Sequence, residues 1–278
     1  MKIGEIIKDA VKYPFLDWKK ILILGIILLI GSISFITRSD NLINNTNMAL
    51  IWFLGIIAFL LVFLVHGYGF KIMISSLKGM EELPKFNALF EMFKNGIKVF
   101  IVGIVYNIPA ILIILIVATL SYTSNPSLVV NIVSGAVIWF TVGGTGIWPL
   151  IAWAGIWFFI SILYVIIIAP ITAMAIAHMA NNESKLGTAF KFQDILDKIG
   201  ILGWKNLIKW YLTTGIVFLI LILIVTIIFS ICLVLIHSFA GTTTLHIIEK
   251  VSLVLILYPY LYMYLYRSIA LFYKSKEE

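Results

Sequence analysis

The amino-acid sequence predicts an all-α, polytopic helical membrane protein. Hydrophobic residues make up 62% of the chain, charged residues make up 12%, and the mean hydropathy is +1.10. This composition cannot supply the solvated surface of a soluble domain. Several uncharged runs reach the roughly 20 residues that a helix needs to cross the hydrocarbon core. Because these runs are unbroken and do not alternate, helices and not barrel strands are the predicted spanning elements.

About six transmembrane helices are predicted, arranged as three hairpins in a single integral membrane domain that covers residues 1–278. The hairpin units fall at about 1–78, 79–182 and 183–278. The apolar runs that form the crossings are residues 21–36, 49–70, 99–121, 150–178, 207–236 and 248–272.

The lysines and arginines predict the topology. With six crossings and both termini in the cytoplasm, 18 of the 20 basic residues are cytoplasmic, and only Arg38 and Lys250 lie outside. This distribution satisfies the positive-inside rule. A further apolar run, residues 127–148, would break the pattern if it crossed. We therefore expect it to lie at the outer interface or to re-enter, as its Asn131 and Gly143 suit a broken, shallow helix.

One design precedes each hairpin. An amphipathic helix, expected to lie in the membrane plane on the cytoplasmic side, leads into a short polar connector and then into a span. All three connectors, residues 17–20, 95–98 and 203–206, contain lysine, and the first and third also contain tryptophan; both residue types are typical of a headgroup boundary. The apolar stripes of these three in-plane segments are Ile3, Ile6, Ile7, Ala10 and Val11; Phe86, Leu89, Phe90 and Phe93; and Phe192, Ile195, Leu196 and Ile199.

The sequence lacks the residue patterns of functions that need a charge, a metal or a nucleophile inside the membrane. No charged residue lies near the middle of a predicted span, which counts against ion-coupled transport. His66, His178, His237 and His246 include no pair at helical metal-site spacing, and Cys232 is the single cysteine. Nucleophile motifs, phosphate-binding loops and paired catalytic carboxylates are missing. We therefore predict no enzyme activity, catalytic residue, metal or cofactor.

The net charge of +7 is spread through the gaps between apolar runs, so anionic lipid and not nucleic acid is the expected counter-charge. The last span adds tyrosines at alternate positions, of which Tyr262 and Tyr266 share a helical face. We interpret them as a hydroxyl-lined groove that holds a lipid phosphate. An aromatic belt with interhelical hydrogen bonds is the alternative. The candidate binding residues are Tyr262, Tyr266, Arg267, His178 and Lys71.

Four short motifs carry a resemblance to a known family. They are Asp17-Trp18-Lys19 before a span; His66-Gly67-Tyr68-Gly69-Phe70-Lys71 at the end of the first hairpin; Leu83-Pro84 before Phe86; and Phe93-Lys94-Asn95-Gly96 leading into Tyr106 and Pro109. Together they resemble an uncharacterised archaeal multi-pass membrane family, the domain of unknown function numbered four thousand and thirteen. The resemblance implies a location in an archaeal cell membrane and carries no activity.

The leading hypothesis is a non-enzymatic membrane protein that organises the membrane or binds lipid or protein partners. Membrane lipid is the expected partner, with a homo-oligomer or a membrane protein as the other candidates. The in-plane segments and the lack of charge at mid-span favour this hypothesis. The alternative is a carrier or channel for a neutral or lipidic substrate, which would need a polar path to mid-membrane.

Overall fold

The computed structural model describes residues 2–39, 48–124, 147–236 and 248–276, and its elements within these ranges are helical. The confirmed all-α architecture follows from the long apolar runs, which satisfy their backbone hydrogen bonds internally. In chain order the elements are α1 (Ile3–Lys12), a 3₁₀ turn (Tyr13–Leu16), α2 (Trp18–Ser39), α3 (Met48–Leu77), α4 (Leu89–Ser124), α5 (Ile147–Asn181), a 3₁₀ turn (Leu186–Phe190), α6 (Phe192–Leu202), α7 (Trp204–Ile236), a π-helical turn (Leu253–Leu257) and α8 (Tyr258–Lys274).

Five helices in the described residues are long and apolar enough to cross a membrane, and α2, with 22 residues, covers the first predicted span. The polytopic membrane fold is thus confirmed, and the count of six crossings stays a prediction. Residues 127–146 of the proposed non-crossing segment lie outside the described residues. The five helices are Phe53–Leu77, Leu89–Ile116, Phe159–Asn181, Trp204–Ile231 and Ile248–Lys274.

The first and third in-plane segments are separate amphipathic helices, as predicted. In α1 the stripe buries Ile6 and Ala10 completely, and in α6 it buries Ile195 and Ile199. Helix α6 ends where Gly203 adopts a φ of 91°, a conformation that side chains disfavour. The next span, α7, begins directly at the following residue.

The second in-plane segment differs from the prediction. Phe86 precedes the helix, and α4 starts at Leu89 and continues unbroken through the expected connector. The reason is close packing against α3. A Cβ at Gly96 would collide with the backbone carbonyl of Phe63, and one at Gly67 would collide with that of Met92. The Asn-Gly sequence therefore permits a tight helix crossing here and does not end the helix.

The described chain forms two compact units, residues 1–100 with 174–278, and residues 101–173. In the smaller unit the hydroxyl of Tyr164 donates to the carbonyl of Tyr106 at 2.8 Å. Pro109 and Pro170 lie inside its helices, where each removes a backbone donor. The division into three hairpin units stays a prediction.

Helix α8 is the centre of the larger unit, where it packs against α1, α2, α3 and α7. Its tyrosine hydroxyls find partners on these neighbours, as buried phenols require. Tyr260 donates to the carbonyl of Val11 at 2.7 Å, and Tyr264 donates to that of Thr214 at 3.4 Å. A helix rich in polar-tipped aromatic residues can therefore be almost wholly buried.

Candidate functional site

Arg267 on α8 is the centre of a buried polar network in the larger unit. Its Nε and Nη2 donate to the two carboxylate oxygens of Asp9 at 2.7 and 3.3 Å. Its Nη1 donates to Oγ of Ser76 at 3.2 Å and to the carbonyl of Met80 at 2.8 Å. The guanidinium carbon lies 4.6 Å from the ring centre of Tyr13. This bidentate, charge-assisted arrangement fastens α1 to α8 and to the end of α3.

Tyr13 closes the same network from the 3₁₀ turn after α1. Its hydroxyl donates to the carbonyl of Glu82 at 3.2 Å. Burial raises the pKa of the Tyr13 phenol to about 12, although the positive charge of Arg267 acts in the opposite direction. Tyr13 is therefore neutral at physiological pH and packs under the guanidinium as an aromatic face.

A second cluster joins α3 and α8. The Nδ1 atom of His66 lies 3.4 Å from the hydroxyl of Tyr266 and also contacts the hydroxyl of Tyr262. The two tyrosine rings lie 5.1 Å apart. A Cβ at Gly69 would strike the Tyr266 ring, so this glycine lets α8 approach α3. The cluster is a compact set of interhelical hydrogen bonds.

Residues 68–71, which complete the motif that begins at His66, hold the loop that follows α3. The Tyr68 ring stacks on Phe86 with a centroid distance of 3.8 Å. The Nζ atom of Lys71 donates to the carbonyls of Lys85 and Asn87 at 2.8 and 3.1 Å and also contacts the Asn87 side chain. His66, Tyr68 and Lys71 of the motif therefore each have a structural partner here.

The five predicted binding residues do not share one set of contacts. Tyr262 and Tyr266 lie together with His66, whereas Arg267 binds Asp9. Nδ1 of His178 lies 2.8 Å from the hydroxyl of Tyr273, and Lys71 binds the loop described above. A lipid-phosphate groove formed by these five residues stays a prediction.

Sequence reasoning missed Asp9, Tyr13 and Ser76 as members of the Arg267 network. Asp9 lies on the polar face of α1 and is 258 residues from Arg267. No local periodicity signals a pair at that separation. The available signal was an arginine within the span Ile248–Lys274, since such a charge needs a partner.

Lysines of two connectors bind the chain just ahead of the next in-plane segment. Nζ of Lys20 donates to the carbonyl of Leu83 at 2.6 Å, just before the second segment. Nζ of Lys98 donates to the carbonyl of Ser184 at 2.8 Å, just before the third. Lys20 also pairs with Asp17 at 3.1 Å, and its hydrogen bond lowers the pKa of that carboxyl. We call these contacts the lysine clamps.

A family comparison covers the part of these features that lies between residues 50 and 230. The sequence profile of a family described as "Protein of unknown function (DUF4013)" matches residues 50–230. No curated protein and no solved structure matches the chain. The matched range includes the motif of residues 66–71 and the Gly96 crossing, and it continues to α7, whereas residues 17–19 precede it. Because the match spans more than half of the sequence, the chain belongs to this family of proteins of unknown function.

Proposed function

We propose that this chain is a non-enzymatic, multi-pass protein of the cell membrane that binds anionic lipid and organises the headgroups around it. Both termini lie on the cytoplasmic side in this proposal. The observation that carries it is the set of exposed aromatic side chains beside lysines along the in-plane segments.

Exposed aromatic residues lie in or beside all three segments. Phe15 and Trp18, after the first segment, are about half exposed, Phe90 is 82% exposed in the second segment, and Phe192 and Trp204, at the start of α6 and just after it, are about half exposed. In water such rings would be buried. At a bilayer interface the rings reach the acyl boundary while neighbouring lysines extend to the phosphates.

Charge adds to this attraction. Each lysine or arginine near an anionic surface contributes roughly 1 kcal/mol, and the proposed cytoplasmic side holds 18 of the 20 basic residues. The lysine clamps fasten the chain just ahead of two of the segments. Basic residues on a fixed framework favour ordered headgroups over a diffuse ion cloud.

The carrier hypothesis has one specific observation in its favour. The side-chain oxygen of Asn107 is buried and has no hydrogen-bond partner among the described residues. It lies within the span Leu89–Ile116, two residues before Pro109. A carrier should show substrate-dependent changes in the accessibility of cysteines placed next to Asn107, and an organiser should not.

The lipids that remain around the extracted protein provide a test of the proposed function. The full chain is extracted from its host membrane in polymer nanodiscs, and the lipids are compared with those of the bulk membrane. We expect enrichment of anionic lipid, reduced by Lys19→Gln with Lys205→Gln on exposed connectors. Lys250→Gln, predicted to lie on the opposite side, is the control and should leave the enrichment unchanged. A shell with bulk composition in the wild-type protein would contradict the proposal.

A further inference from the structure

A cavity of about 520 Å³ lies where the third connector meets the first in-plane segment. Its size is within the range of small-molecule sites. The wall is built from the start of α1, the end of α6, the start of α7 and the end of α8, all within the larger unit. Its polar lining consists of Lys2, Asn206, Lys209, Thr213, Ser275 and Lys276.

The cavity lies at the third connector, whereas the lysine clamps occur at the first and second. At the first two junctions, lysine clamps join a connector to the chain just ahead of the next segment, through Lys20 and Lys98. At the third connector, Asn206 donates instead to the carbonyl of Leu202, four residues earlier in the chain, at 2.9 Å. This third connector borders the cavity together with basic side chains.

The side chains that line the cavity carry positive charge, which favours an anionic ligand. It contains three lysines and no carboxylate side chain. None of the ion pairs between described residues involves Lys2, Lys209 or Lys276. Nζ of Lys276 donates to the carbonyl of Ile201 at 2.8 Å, which fixes one ammonium group at the rim. The nearby Glu5 carboxylate is held by the backbone N–H of Lys2 at 2.8 Å.

The helix α1 strengthens this preference. Its first turn, including Gly4, lines the cavity and supplies the positive end of a helix dipole. Lysine side chains beside the backbone donors of a helix N-terminus are the chemistry that binds phosphate. The apolar Ile3 and Phe272 on the same wall suit the glycerol or acyl part of a lipid.

We propose that this cavity is a discrete, stoichiometric site for a phosphate group, with Lys2, Lys209 and Lys276 as its charged ligands. The proposal rests on the proposed function and names one site within it. A phospholipid headgroup and a free phosphate share this chemistry, and the experiment separates the two sources.

The test uses the full chain in detergent and in nanodiscs. The site variant combines Lys2→Gln, Lys209→Gln and Lys276→Gln. The matched control removes the same charge outside the cavity, through Lys8→Gln, Lys78→Gln and Lys94→Gln. Thermal melts establish that both variants are folded, and Lys209→Arg alone, which keeps the charge, should retain binding. Titrations use short-chain phosphatidylglycerol and inorganic phosphate, and native mass spectrometry counts the bound molecules.

We expect the wild type and the control to bind one phosphatidylglycerol at the site, and the site variant to bind it about 10- to 100-fold more weakly. Competition by inorganic phosphate at millimolar concentration would assign the site to free phosphate, and lack of competition would assign it to the lipid. Equal affinity in the site variant and the control would overturn the proposal. Anionic enrichment that persists in both would then leave the proposed function standing.

Discussion

Replacing Asp9 with asparagine should release α1 from the rest of the larger unit. The Asp9 carboxylate receives two hydrogen bonds from Arg267, and the two side chains are 36% and 5% exposed. The substitution removes the negative charge and leaves the buried guanidinium with its contacts to Ser76 and Met80. The structure therefore predicts a local opening of α1 and no loss of the whole fold.

The magnitude follows from burial. Removing one partner of a fully buried ion pair costs about 3–5 kcal/mol. Asp9 is partly exposed, and asparagine keeps one acceptor oxygen, so the cost is smaller here. We expect α1 to lose about 2 kcal/mol of stability against local opening, which is close to the contribution of one charged hydrogen bond. That loss corresponds to an increase of about 30-fold in the opening equilibrium of α1.

Hydrogen exchange measures this equilibrium in nanodiscs. Exchange of the backbone amides of residues 3–16 should rise about 30-fold in Asp9→Asn, because these amides become accessible when the helix opens. Asp194→Asn on α6 is the matched control. Its pair with Lys191 is 3.4 Å long and both side chains are about half exposed, so the loss is below roughly 1 kcal/mol. Equal exchange in the two variants would refute the role of the Arg267 network.

Two further predictions concern packing and pH. Gly67→Ala should lower the free energy of unfolding by about 1–3 kcal/mol, because the new methyl group meets the Met92 carbonyl. In the control Gly55→Ala the new methyl group meets no atom within 4 Å and should not destabilise the protein. Thermal melts compare the two, and equal melting temperatures would contradict the tight crossing. Stability should fall as the pH rises from about 10 to about 12, because the unfolded phenol of Tyr13 loses its proton first. Tyr13→Phe should reduce that slope in alkaline unfolding titrations, and an unchanged slope would contradict the raised pKa.

Composition and periodicity were sufficient to predict the all-helical membrane fold and two of the separate amphipathic helices. The stripes of α1 and α6 are local patterns, so their faces could be assigned before any packing was known. The tryptophans at positions 18 and 204 likewise mark the starts of α2 and α7. These features depend on neighbours within one or two helical turns.

Features that depend on distant partners could not be predicted. Gly96 was interpreted as part of a connector, but its packing on Phe63 keeps α4 continuous. Arg267 was expected near a lipid headgroup because it lies near the end of a span. Its partner Asp9 comes from the opposite end of the sequence, so only the tertiary fold reveals the pair. The cavity, too, arises from four separate elements.

The location of the in-plane segments at one membrane interface is the central claim of this account. Depth and sidedness of single spin labels test it most directly, with Cys232 replaced by serine and labels at Phe15, Phe90, Phe192 and, as a mid-span control, Leu219 of α7. The account predicts that the first three labels share headgroup depth on the cytoplasmic side, while the control lies in hydrocarbon. Labels on opposite sides of the bilayer, or a segment free in water, would contradict it.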